Sequence, residues 1–238
     1  MKLALVISAV YGLAAVQLTM PPPGLTYSGT YTVQANDTMA SIAASVHRNI
    51  CALARANRMA DIELMPRVGS TILVPDGNAT SPNDTSCLLL DKKDEKQNTL
   101  PCIYGGPHVY TVVAGDTLAR VARKLNLDVA ALASSTGPPP SPSSSSQPPV
   151  DVDTPLSLGR GLKIPQCSPS TCQVQPFRFM YGTYVDLALA YNTTVGQIVA
   201  FNPTYSFSAA TDENKAPVIT LPSNCGPTGS GADIVVIS

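Results

Sequence analysis

The chain has 238 residues, 15 of them basic and 16 acidic, for a net charge of −1. That length accommodates one or two ordinary domains or three very small ones. The balanced charge, with no basic stripe, argues against a nucleic-acid partner.

At the N-terminus, Lys2 precedes an Ala-rich apolar run over residues 3–16, with small residues at Ala14 and Ala15. This reads as a secretory signal peptide over residues 1–18, so the chain is expected to be extracellular or wall-associated. The run is short for a bilayer span, and no membrane partner is expected after its removal. Six cysteines, Cys51, Cys87, Cys102, Cys167, Cys172 and Cys225, are an even number in a secreted chain and imply disulfides. None has the paired CxxC spacing of a zinc site, and neither a metal nor a cofactor is expected.

The first β-like run is Tyr31-Thr32-Val33. Asp37 and Thr38 then supply helix-capping side chains. Met39, Ile42, Ala43 and Val46 follow at the i, i+3, i+4, i+7 spacing of one helix face. A second stripe, Ile50, Leu53 and Ala54, starts 11 residues after the first, and the run Ile72-Leu73-Val74-Pro75 closes the unit. Residues 76–106 read as a linker with Cys87 and Cys102, including a mixed charge run at 92–96 that reads as a solvated loop.

The pattern then recurs. Tyr110-Thr111-Val112 is followed by Gly115, Asp116 and Thr117, then by Leu118, Val121, Ala122 and Leu125. Val129, Leu132 and Ala133 come next, and Leu162-Lys163-Ile164-Pro165 closes the unit. Within it, residues 137–155 are rich in Pro and Ser and read as low-complexity chain. A third round runs from Phe177-Arg178-Phe179 through Tyr184, Leu187, Ala188 and Tyr191. It continues through Val195, Ile198 and Val199 to Ile219-Thr220-Leu221-Pro222, and residues 226–238 read as a loose tail. The 11-residue offset holds in all three (50 minus 39, 129 minus 118, 195 minus 184). The pattern predicts three strand–helix–helix–strand units over 30–75, 109–165 and 177–222. Each is a small α+β domain with two antiparallel strands and both helices on one face.

Cys172 and Cys225 bracket the third unit and are expected to pair. For the others, Cys51 with Cys102 and Cys87 with Cys167 are the expected pairings, although the sequence leaves other connectivities open. Sequons mark Asn36, Asn78, Asn83 and Asn192 as candidate glycosylation sites. Catalysis is not expected. His47 and His108 are isolated, no GxSxG or HExxH motif occurs, and Asp151 and Asp153 lie in the Pro/Ser-rich stretch, where acid–base groups would not be held.

The stretch Tyr110-Thr111-Val112-Val113-Ala114-Gly115-Asp116-Thr117-Leu118 resembles a lysin motif (LysM), whose pattern is a YTV-type strand, GDTL, a helix, Leu with Asn four residues on, Gly, and an apolar-Pro ending. Unit one matches at Asp37-Thr38-Met39, Leu53, Asn57, Gly69 and Pro75; unit three matches at Thr183-Tyr184, Ile198, Asn202 and Pro222. The arrangement resembles fungal secreted effectors with three LysM domains. The resemblance implies non-catalytic binding of chitin oligomers, which hides fragments from host immune receptors or shields the fungal wall from chitinases. A peptidoglycan- or glycoprotein-binding adhesin, or a wall protein without sugar binding, would share the fold. The scarcity of aromatic residues argues only against sugar-binding modules built on flat aromatic platforms.

In LysM domains the sugar lies between the GDTL loop and the loop after the second helix. The resemblance therefore implies contacts from Asp37, Thr38 and Met39 facing Asn57, Met59 and Ile62 in unit one. In unit two it implies Gly115, Asp116, Thr117 and Leu118. In unit three it implies Gly182, Thr183, Tyr184 and Val185 facing Asn202, Thr204 and Tyr205. Three departures stand out: Asn36 replaces the pattern's Gly, Tyr181-Gly182 replaces Gly-Asp, and Thr136 replaces Asn. The spacing from the Asn position to the closing proline is 18, 29 and 20 residues in the three units (75 minus 57, 165 minus 136, 222 minus 202). Unit two is accordingly expected to have a distorted second loop and the weakest site. Units one and three are expected to grip one oligomer together, and ligand-bridged self-association is a further expectation.

Overall fold

The structure is a computed structural model. It describes residues 21, 24–77, 83–88, 99–105, 108–136, 151–203, 205, 216–228 and 235–237. The signal segment, Asn78, the 92–96 charge run, Thr204 and most of the Pro/Ser-rich stretch lie outside the described residues.

Unit one comprises β1 (Tyr27–Thr32), α1 (Met39–Ser45), α2 (Ile50–Ala56) and β2 (Thr71–Pro75). Its strands pair antiparallel with Tyr31 opposite Ile72. Seven-residue helices do not hold in isolation; here caps and packing hold them. The Thr38 hydroxyl accepts the Ser41 amide while the Ser41 hydroxyl accepts the Thr38 amide, a reciprocal capping box. Asn49 caps α2 through the Cys51 and Ala52 amides. Met39, Ile42, Ala43, Leu53, Ala54, Met59 and Ile72 then form one buried cluster with Val33.

Unit two repeats this with β3 (His108–Thr111), α3 (Leu118–Lys124), α4 (Val129–Thr136) and β4 (Gly161–Ile164). Tyr110 stands opposite Leu162. A short strand β5 (Gln166–Ser168) leads into unit three, formed by β6 (Ser170–Arg178), α5 (Tyr184–Ala190), α6 (Val195–Phe201) and β7 (Val218–Pro227). Phe177 stands opposite Ile219. The β6–β7 strand pair extends well beyond the runs read from sequence. Of the segment expected to be a loose tail, the described residues include β8 (Val235–Ile237), which pairs antiparallel with β5. After each first helix the chain turns through a left-handed residue at the same position: His47, Asn126 and Asn192, with φ of 53°, 57° and 48°. Asn tolerates that conformation better than most residues.

The disulfides are Cys51–Cys87, Cys102–Cys167 and Cys172–Cys225. The last is the expected pair; the other two replace the expected Cys51–Cys102 and Cys87–Cys167. The loop at 83–88 folds back over α2 and brings Cys87 to Cys51. Asn49 donates its side-chain amide to the Asp84 carbonyl at 3.0 Å, and Arg55 pairs with Asp84 at 2.6 Å. The units touch closely. A Cβ at Gly196 in α6 would lie 2.5 Å from the Leu125 carbonyl oxygen at the end of α3, so only glycine fits that crossing.

Candidate functional site

The Asn expected to face a ligand belongs instead to the scaffold. Asn57 is fully buried; its side chain donates to the Leu53 and Leu73 carbonyls and accepts the Leu73 amide, each at 2.8 Å. Asn202 does the same with Ile198 and Thr220. These carboxamides join the end of the second helix to the closing strand, and both N–H donors of each are spent there. In unit two the role falls not to Thr136 but to its neighbour. The Ser135 hydroxyl reaches the Leu132 carbonyl at 2.8 Å and the Lys163 carbonyl at 3.2 Å.

The first loops are braced by carboxylates. Asp37 accepts the Tyr31 hydroxyl at 3.0 Å and the Gln34 amide at 2.7 Å. Asp116 accepts the Tyr110 hydroxyl at 2.8 Å and the Val113 amide at 2.9 Å, and is fully buried. Thr117 caps α3 through the Arg120 amide. Asn36 and Gly115 occupy one position with φ of 65° and 82°, so Asn36 takes over the glycine's left-handed conformation. Both are exposed, as are Asn83 and Asn192 among the other sequon positions. In unit three the bracing carboxylate moves to Asp186, which accepts the Thr183 amide at 2.8 Å and its hydroxyl at 2.9 Å.

Of the remaining expected contacts, Met39, Met59, Leu118, Tyr184 and Val185 lie in the hydrophobic cores. Tyr184 stacks on Tyr205 at 5.4 Å between ring centroids, and burial pushes both phenols above their usual pKa. Gly182 and Thr183 are buried as well, because the end of α2 sits on unit three's loops. The Gly182 amide donates to the Arg55 carbonyl at 3.0 Å, and the Tyr205 hydroxyl donates to the Arg58 carbonyl at 2.7 Å. The buried Arg55 guanidinium forks onto Asp186 at 3.0–3.1 Å and also reaches Asp84 and Ser86. Burial opposes its charge, but these carboxylates outweigh that and raise its pKa. Asp84 is held below the usual carboxylate range: burial works against this, while bonds from Ser86 and the Arg55 charge prevail.

The second loop of unit two is not distorted. The offset between units one and two is 79 at the first helix (118 minus 39) and 90 at the second loop (151 minus 61), so eleven residues are extra. They enter before Asp151, and residues 151–160 then repeat the turns of 61–70 position by position. Asp61 and Asp151 each accept an amide two residues on, at 2.9 and 3.1 Å. Asp151 and Asp153 thus stand in a defined turn, not in loose chain. Gly69 and Gly159 donate to the Val33 and Val112 carbonyls at 2.8 and 2.9 Å.

The loops differ at their mouths. In unit two the Ala119 amide donates across the groove to the Val152 carbonyl at 3.0 Å, and the Leu156 amide donates to the Asp116 carbonyl at 2.8 Å. Among the described residues of unit one, no bond joins the equivalent Ala40 amide and Ile62 carbonyl, and Pro66 has no amide to offer Asp37. The same second loop ties unit one to unit two. Lys124, nearly buried, meets Asp61 at 3.2 Å, Glu63 at 2.6 Å and Asp116 at 3.1 Å, and Arg120 also pairs with Glu63. Burial opposes the Lys124 charge, but these carboxylates, Asp61 foremost, hold its pKa above the usual lysine value. Sequence reading missed Arg55, Lys124 and the groove amides. The first two look like ordinary surface cations on a helix, and a main-chain donor has no residue signature.

Among the described residues, no group of three or more His, Cys, Asp or Glu is placed to hold a metal, and no helix is long and apolar enough to cross a membrane. The LysM domain model matches residues 31–75, nearly all of unit one, and 110–135, the first strand and both helices of unit two. The chain is 37% identical over 202 residues to the secreted LysM effector LysM13 of Penicillium expansum, covering 84% of this chain and 80% of that protein. It is 30% identical over 183 residues to the secreted LysM effector ECP6 of Passalora fulva, covering 75% and 72%. With ELP2 of Colletotrichum higginsianum, another secreted LysM effector, it shares 34% identity over 104 residues, 44% of this chain and 54% of that one. Members of this group bind rather than catalyse, and by this kinship, carried across most of both chains, the protein belongs to the secreted fungal LysM effectors.

Proposed function

We propose that the chain binds chitin oligomers without catalysis and that the groove of unit one receives the sugar. What supports this reading is the unbridged loop pair. An acetamido group carries one N–H donor, one carbonyl acceptor and a methyl. Unit one has an acceptor and a donor at facing positions, the Ile62 carbonyl and the Ala40 amide, not bonded to each other. Asp37 and Thr38 frame one rim and the half-buried Ile62 the other, over the core that holds Met39 and Met59. Each hydrogen bond contributes about 0.5–1.5 kcal/mol net, so one acetamido group gives weak binding and an oligomer is needed to accumulate it. An oligomer longer than one groove can bridge two chains. In the host's extracellular space such a protein withholds chitin fragments from immune receptors or covers the wall against chitinases. Unit three serves mainly as the body against which unit one is set, since Arg55 and Arg58 already take its loop donors.

The test is calorimetric titration of the full chain with N-acetylglucosamine tetramer, with pull-down on chitin, peptidoglycan and cellulose beads beside it. Retention on chitin alone, and binding by Ala40→Pro weakened about two- to tenfold, as the loss of one hydrogen bond predicts, is the expected result. That substitution removes one amide in a turn that accepts proline. Unchanged binding by Ala40→Pro, or equal retention on all three beads, overturns the reading.

A further inference from the structure

We propose that the Leu156 main-chain amide is a latch that holds the groove of unit two shut, and that proline at the equivalent position 66 leaves unit one open. This rests on the reading that the groove takes an acetamido group. The two second loops share their turn pattern, the bond from Gly69 or Gly159 into the first strand, and the aspartate-centred turn at 61 or 151. They differ in where proline falls: Met65-Pro66 in one, Pro155-Leu156 in the other. Moving the proline back by one residue restores an amide at 156, which bonds Asp116 at 2.8 Å. Val152 packs against the unit's core as Ile62 does in unit one; the difference is Leu156, which packs inward where unit one has Pro66. The second rung, Ala119 to Val152 at 3.0 Å, then closes as well. The donor and acceptor that an acetamido group would use are thereby bonded to each other. A sugar must break two bonds to enter unit two and none to enter unit one.

The test exchanges the dipeptides in the full chain. Amide shifts of Asn36 and Gly115 report the two grooves separately during titration with the tetramer. In the natural chain the expected result is movement at Asn36 and none at Gly115. Pro155→Met with Leu156→Pro should make Gly115 respond as well and double the oligomer bound per chain. Met65→Pro with Pro66→Leu should silence Asn36. Ala119→Pro also breaks a rung but removes the donor that the sugar needs, so it should bring no response at Gly115, whereas mere loosening of the loop would. Circular dichroism melts confirm that each variant is folded. A natural chain in which Gly115 moves at the same concentration as Asn36 overturns the latch, as does a folded Pro155→Met, Leu156→Pro variant whose Gly115 stays still. Silence of both loops in the natural chain fails the chitin reading itself and takes the latch down with it.

Discussion

Units one and two were built to one plan, down to matching turns in their second loops, and they diverge at the rim. Among the described residues, the Ala40 amide and Ile62 carbonyl of unit one are not bonded to each other, whereas in unit two their counterparts are. They diverge again behind the groove, where a buried carboxamide with three hydrogen bonds in unit one corresponds to a single serine hydroxyl in unit two. On the proposed reading, the two grooves differ less in the side chains that line them than in which main-chain groups are already bonded.

The comparison breaks hardest at the joint between the two units. Lys124→Met leaves the buried Asp116 without its cation, frees Asp61 from unit two and leaves Glu63 held there by Arg120 alone. We expect a loss of about 3–5 kcal/mol in denaturant unfolding, with weaker tetramer binding as the 61–64 turn loses part of its anchor. A smaller effect separates the scaffolds. Asn57→Ala should cost roughly 2–3 kcal/mol, because it strands both the carbonyl and the amide of Leu73, while Ser135→Ala should cost roughly 1 kcal/mol. Equal losses would mean that the two units do not differ behind the groove. The smallest effect concerns acid. The folded-state pKa of Asp84 lies below its ordinary 3.8, so its contribution is present above that value and is lost as the pH falls through the lower folded one. The melting-temperature gap between the natural chain and Asp84→Asn should therefore stay constant from neutral pH down to the ordinary carboxylate value, then close.

Much of the fold was legible. The apolar stripes place helix starts at Met39, Ile50, Leu118, Val129, Tyr184 and Val195, and the helices begin there, because a short helix with one buried face has to keep that spacing. The full strand pair of unit three was not, since its outer half, with Gln173 and Gln175 exposed, has no apolar alternation to read. The site was legible only as a location. Asn57 and Asn202 look like polar loop residues in sequence, and only their reach to the closing strand reveals the role. The Pro/Ser-rich stretch suggested a damaged loop because chain length was the only available measure, and length does not say on which side of Asp151 the extra residues enter.

That point of entry has a practical consequence. The join ahead of Asp151 carries eleven additional residues while the turns beyond it keep the bonds of their twin. A variant shortened by those eleven residues is expected to keep the turns of 151–160, which the amide shifts of that stretch would check.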